Sequence, residues 1–118
     1  MKTFPIEEIT KIVADFAQER DWNQFHSPKN ISMALNVESS ELMEMFQWLK
    51  EEESWEIMKT DKKVSVEDEV ADVAVYLLRI CDLLKIDLEE VIRKKMKKNA
   101  EKYPPELVRG SSKKYDEY

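Results

Sequence analysis

Glu69-Val70-Ala71-Asp72-Val73-Ala74-Val75-Tyr76-Leu77-Leu78 decides the fold of this chain. On a helix the run is apolar in nearly every direction except where Glu69 and Asp72 fall, and those two, spaced i, i+3, lie one turn apart on a single face. Such a helix is expected to be buried nearly all round. A bare carboxylate there costs several kcal/mol unless it is paired or neutralised. A second pair with the same spacing, Glu38 and Glu41, stands in Val37-Glu38-Ser39-Ser40-Glu41-Leu42-Met43-Glu44. If the two helices pack together, four carboxylates converge on one spot, and like charges at that density need a hard cation between them. Carboxylate oxygens are the ligands that Mg²⁺ and Mn²⁺ prefer.

Outward from these pairs the pattern stays helical. Pro5 suits a helix first turn, and Ile6, Ile9, Ile12, Val13, Phe16 and Ala17 follow at three- and four-residue intervals, which predicts an amphipathic helix to about Arg20. Asp21-Trp22-Asn23-Gln24-Phe25-His26 breaks that period as a polar, aromatic loop. Ser27 and Pro28 then signal a second helix, from Pro28 to about Lys50. Glu51 to Lys63 reads as a short helical turn or loop on the surface. Ser65-Val66-Glu67-Asp68 resembles a capping box that opens a third helix running to about Leu84, and Asp87-Leu88-Glu89-Glu90 opens a fourth in the same way. Pro104-Pro105 ends the fourth helix. No β pattern or repeat is visible, so the chain reads as all-α and four-helix-bundle-like over residues 1–105, with a polar, flexible tail over 106–118.

The totals exclude several kinds of chemistry. A length of 118 residues suits one domain whose core an oligomer interface can share. With 25 acidic against 19 basic residues the net charge is −6, which argues against binding a nucleic-acid polymer. One cysteine, Cys81, leaves no internal disulfide and no cysteine-built zinc site. One glycine, Gly110, leaves no Walker loop or dinucleotide fingerprint, and one histidine leaves no two-histidine zinc helix. Without a signal-like or membrane-spanning apolar run, the expectation is a soluble cytoplasmic protein with no membrane contact.

The carboxylate pairs have a plain alternative, a solvated acidic helix face, and in a chain with 37% charged residues Glu44, Glu51 and Glu67 fit it well. Asp72 fits it worst, because its neighbours one turn away include apolar groups. Trp22, Phe25 and His26 suit either a staple between two helices or a platform for a flat ligand such as a nucleobase. Tyr76 lies one turn beyond Asp72 and would border the same space. Lys95 and Asn99, spaced i, i+4, suit a solvated pair, or a phosphate contact and a hydrogen bond to a base edge.

Across Phe16 to Tyr115 the chain resembles the MazG-like, all-α nucleoside-triphosphate pyrophosphohydrolases, most closely the dCTP pyrophosphatase branch. The resemblance rests on Glu19-Arg20-Asp21-Trp22-Asn23-Gln24-Phe25-His26, Glu41-Leu42-Met43-Glu44-Met45-Phe46-Gln47-Trp48, Glu69-Val70-Ala71-Asp72-Val73, Lys102-Tyr103-Pro104 and Arg109-Gly110-Ser111-Ser112-Lys113-Lys114-Tyr115. It implies Mg²⁺-dependent hydrolysis of a (deoxy)nucleoside triphosphate between the α and β phosphates, by dimers or dimers of dimers. The metal ligands it implies are Glu38, Glu41, Glu69 and Asp72. Its base-binding positions fall on Trp22, His26, Trp48, Tyr76 and Asn99, with Lys95 near the phosphates. Glu41 or Glu44 is expected as the general base, and Lys95, with Arg109 or Lys113 from the tail, is expected to steady the departing pyrophosphate. The chain departs from the branch at Val37 and Ser39, where glycines usually flank the first glutamate, and at Val13, where relatives can place a polar base contact. Two other readings stay open: a broad pyrophosphatase for modified nucleotides, and a non-catalytic helical interaction protein.

Overall fold

The structure, a computed structural model, describes residues 2–110. Among them the chain is helical, without a strand: α1 (Ile6–Glu19), α2 (Pro28–Glu44), α3 (Glu51–Trp55), a 3-10 turn (Ile57–Lys59), α4 (Lys63–Leu84), α5 (Leu88–Lys102) and α6 (Pro105–Val108). They fall into two compact units, one ending at Lys85 and the other beginning at Ile86.

In the first unit α4 packs most extensively against α2 and also against α1. Ala17, Ile31, Ile57, Val66, Leu78 and Cys81 form the buried core. Ser27 starts α2 as its sequence suggests: Oγ accepts from the Asn30 amide at 3.1 Å, and Pro28 takes the first turn. Left-handed Asp21, at φ 57°, turns the chain out of α1 into the aromatic loop. Gln24 Nε2 donates to Asp21 O at 3.0 Å and the Trp22 amide to Ala17 O at 2.9 Å, which holds that loop against the helix end.

Three boundaries differ from expectation. Helix α2 stops at Glu44 instead of reaching Lys50, because the chain tightens into turns there: the Met45 amide donates to Leu42 O and that of Phe46 to Met43 O. Glu53 Oε1 then captures the Lys50 amide at 2.8 Å and opens α3. Helix α4 begins at Lys63, so Ser65 lies inside it and makes no cap. Thr60 organises that start, its Oγ1 accepting from the Lys62 amide at 3.1 Å. Pro105–Val108 forms a helical turn where a flexible tail was expected, since Pro105 at the first position has no amide to leave unsatisfied. Arg109 follows this turn, its amide donating to Pro105 O at 3.1 Å, whereas residues 111–118, Lys113 among them, lie outside the described residues.

The expected all-round burial of the α4 run is also corrected. Val70 is 50% exposed, Val75 37% and Leu77 38%. The reason is coverage: α1 and α2 meet only part of the circumference of α4. In the second unit Asp87 caps α5 as expected, Oδ1 accepting from the Glu90 amide at 3.1 Å.

Candidate functional site

The pairing of α2 with α4 brings carboxylates together. Glu38 and Glu41 on α2 and Glu69 on α4 each place an oxygen within 4.8 Å of the others, and all three side chains are half-buried. Glu38 Oε2 and Glu69 Oε2 are buried without a hydrogen-bond partner. The nearby hydroxyls give no relief, because Ser39 and Ser40 both donate back to Asn36 O in α2. Burial, reinforced by the neighbouring Glu41 and Asp72 charges, pushes Glu38 up to about 7. Burial and Glu41 likewise raise Glu69. Buried acceptors without donors are costly. Three convergent oxygen donors with two orphaned lone-pair sites fit a hard divalent cation, whose ligands are oxygens.

Asp72 stands beside this cluster and is not one of its three members. It is exposed and borders an open cleft of about 350 Å³. Helix α1 supplies the apolar wall of that cleft through Ile12, Val13, Phe16 and Ala17, the loop adds Trp22 and His26, and α4 adds Asp72, Val75, Tyr76 and Arg79. Trp22 meets Phe16 edge-on, with ring centroids 5.7 Å apart at 72°, and lies 6.4 Å from the His26 ring. Burial, then Glu38 and Asp72, raise the Tyr76 hydroxyl above the ordinary tyrosine range, so it stays protonated and able to donate. A flat apolar slot with polar groups at its edge and a carboxylate cluster alongside suits a ligand with a ring at one end and anionic oxygens at the other.

The remaining expected site residues lie elsewhere. Glu44 is exposed at the last position of α2, outside the cluster. Trp48 is 88% exposed in the turns beyond α2 and does not line the cleft. Lys95 and Asn99 belong to the second unit, where Lys95 edges a hollow with Val91, Ile92, Lys94 and Lys98, and Asn99 Nδ2 lies 3.8 Å from Met96 Sδ. Phe25 is 60% exposed, and its carbonyl accepts from Asn30 Nδ2 at 3.0 Å, which is a stapling role. Arg79, buried and bordering the cleft, was missed in the sequence. The available signal was a lone arginine inside the apolar Tyr76-Leu77-Leu78-Arg79-Ile80-Cys81 run, three residues before Asp82.

Acidic residues gathered between two packed helices beside an aromatic slot define a class, and the sequence comparison agrees with it. The MazG-like family profile matches residues 33–118, and the chain belongs to that family. Among individual proteins, the chain is 38% identical over 111 residues to dCTP pyrophosphatase 1 of Bos taurus, covering 93% of this chain and 66% of that protein. It is 38% identical over 116 residues to dCTP pyrophosphatase 1 of Homo sapiens, covering 95% of this chain and 66% of that protein. The chain thus spans just under two thirds of the length of these mammalian relatives. The crystal structure of a pyrophosphatase from Archaeoglobus fulgidus superposes with a TM-score of 0.80 at 38% identity, covering 88% of this chain and 96% of that one.

Proposed function

We propose that this protein is a nucleoside-triphosphate pyrophosphohydrolase that cleaves a dCTP-like substrate between the α and β phosphates, releasing the monophosphate and pyrophosphate. The observation that carries the reading is the pair of buried, unpartnered oxygens on Glu38 and Glu69, converging with Glu41 beside an aromatic slot. Glu38, Glu41 and Glu69, with Asp72 at their edge, would hold Mg²⁺ or Mn²⁺. When bound, the cation neutralises phosphate charge and orients an attacking water.

The other tasks fall to the chain's own side chains. Trp22 and Phe16 offer aromatic faces to the base, and apolar contact from Ile12 and Val13 excludes water from its flank. His26 and Tyr76 supply polar groups at its edge. Glu41 accepts the proton of the attacking water, a role its place within the cluster favours over Glu44. Trp48, Lys95 and Asn99 are assigned to substrate binding in an assembled dimer or dimer of dimers, an assembly supported by the apolar side chains that a single chain leaves exposed. Residues 1–105 form the helical catalytic domain of a cytoplasmic enzyme, and 106–118 an appended tail whose Arg109 or Lys113 would steady the departing pyrophosphate. Among the described residues no helix is long and apolar enough to cross a membrane.

Incubating the protein with each ribo- and deoxynucleoside triphosphate and Mg²⁺, then assaying monophosphate and pyrophosphate, tests the reading. Equimolar monophosphate and pyrophosphate, fastest with dCTP, are expected. Release of orthophosphate instead would contradict the assigned bond, and no turnover of any nucleotide would defeat the enzyme reading. Methylated and oxidised bases in the same panel separate a narrow enzyme from a broad one.

A further inference from the structure

Arg79 is the one buried charged side chain among the described residues, and the proposed chemistry gives it no task. Each of its three nitrogens donates a hydrogen bond: Nη1 to Asp82 Oδ2 at 3.2 Å, Nη2 to Asn23 Oδ1 at 2.8 Å, and Nε to His26 Nδ1 at 3.0 Å. The bond to His26 sets a protonation state. An arginine offers donors only and keeps its charge, so the imidazole nitrogen facing it must present a lone pair. The neutral ring then carries its proton on Nε2. Burial and the guanidinium charge both hold His26 below the ordinary histidine range, in keeping with a neutral ring. The same guanidinium ties two residues of the loop, Asn23 and His26, to α4 from 56 and 53 residues away, and Trp22 lies on that loop.

We propose that Arg79 is a positioning residue that locks His26 as its Nε2–H tautomer, making it a hydrogen-bond donor to an acceptor atom on the edge of the substrate's nucleobase. A base presenting a carbonyl oxygen or an unprotonated ring nitrogen there is favoured. One presenting an amino group sets donor against donor and is rejected. The ligand in this inference rests on the pyrophosphohydrolase reading, whereas the tautomer rests on the Arg79 contact alone.

His26 is the only histidine in the chain, so a ¹⁵N-labelled sample has a single imidazole spectrum. Long-range ¹H–¹⁵N correlation on the full chain near neutral pH, without nucleotide, is expected to show an unprotonated Nδ1 and a protonated Nε2. A ring protonated on Nδ1, or on both nitrogens, overturns the proposal whatever the activity. In Arg79→Met, checked for retained helicity, a mixture of tautomers is expected, and a folded variant with the wild-type tautomer removes Arg79 from the role. If Arg79→Met does not fold, Arg79→Gln, which is uncharged and whose amide can present an acceptor as well as a donor, carries the same comparison. On substrate, the folded variant is expected to raise KM about tenfold, the equivalent of one hydrogen bond, with kcat changed less than about threefold. A fall in kcat at unchanged KM overturns the base contact. If no nucleotide is hydrolysed, the function reading fails, and the imidazole spectrum still decides whether Arg79 sets the tautomer.

Discussion

Glu38 and Glu69 each bury an oxygen that no donor reaches, and the cost of that arrangement is measurable. An acid whose folded-state pKa is raised binds more protons folded than unfolded between its two pKa values, so stability falls as pH rises through that window. For Glu38 the window runs from the ordinary 4.5 to about 7. In chelator, the chain is therefore expected to melt at a lower temperature above about pH 7 than near 4.5, and Glu38→Gln should flatten that slope. Added Mg²⁺ should restore the wild type and not the variant. A melting temperature that rises across the window would contradict the strained cluster. For activity, Glu41→Ala is expected to lower kcat about 10²–10⁴-fold with the helical circular-dichroism spectrum retained. Near wild-type turnover in that variant would remove Glu41 as base. These residues were legible in advance because an i, i+3 spacing states its geometry outright, whereas Arg79 looked like one more charge in a highly charged chain.

At the scale of elements, starts were easier to read than stops. Ser27 and Asp87 cap their helices through their own side chains, a purely local event that a short window of sequence contains. The end of α2 was decided by competition, since Glu53 draws the Lys50 amide into the next helix, and no feature of α2 itself announces that. Ser65 shows the opposite error, a capping pattern placed inside a helix whose first turn Thr60 had already organised. Ser27→Ala is expected to lower stability by about 1 kcal/mol, read from urea unfolding. Leu78→Ala, at a site 4% exposed between the helices of the first unit, should cost about 2–5 kcal/mol. Equal costs for the two would mean that Leu78 does not sit in a packed core.

For the whole molecule, the decisive feature is what one chain leaves uncovered. Ile12, Val70, Val75 and Leu77 remain exposed or partly so, while the buried apolar set among the described residues is small for a chain of this length. Self-association is therefore expected: sedimentation should give a multiple of the protomer mass, and Leu77→Glu should shift it toward the monomer. A wild-type monomer at micromolar concentration would contradict this. The sequence by itself determined the helical class, the two carboxylate pairs and the aromatic loop, because helical period, capping and residue chemistry act over a few positions. Only the tertiary structure decided that Glu38, Glu41 and Glu69 converge while Asp72 turns to the cleft, and that Arg79 reaches His26. A helix fixes which of its residues share a face; the rotation of two packed helices about their own axes selects which faces meet, and that is set by side-chain packing between residues far apart in the chain.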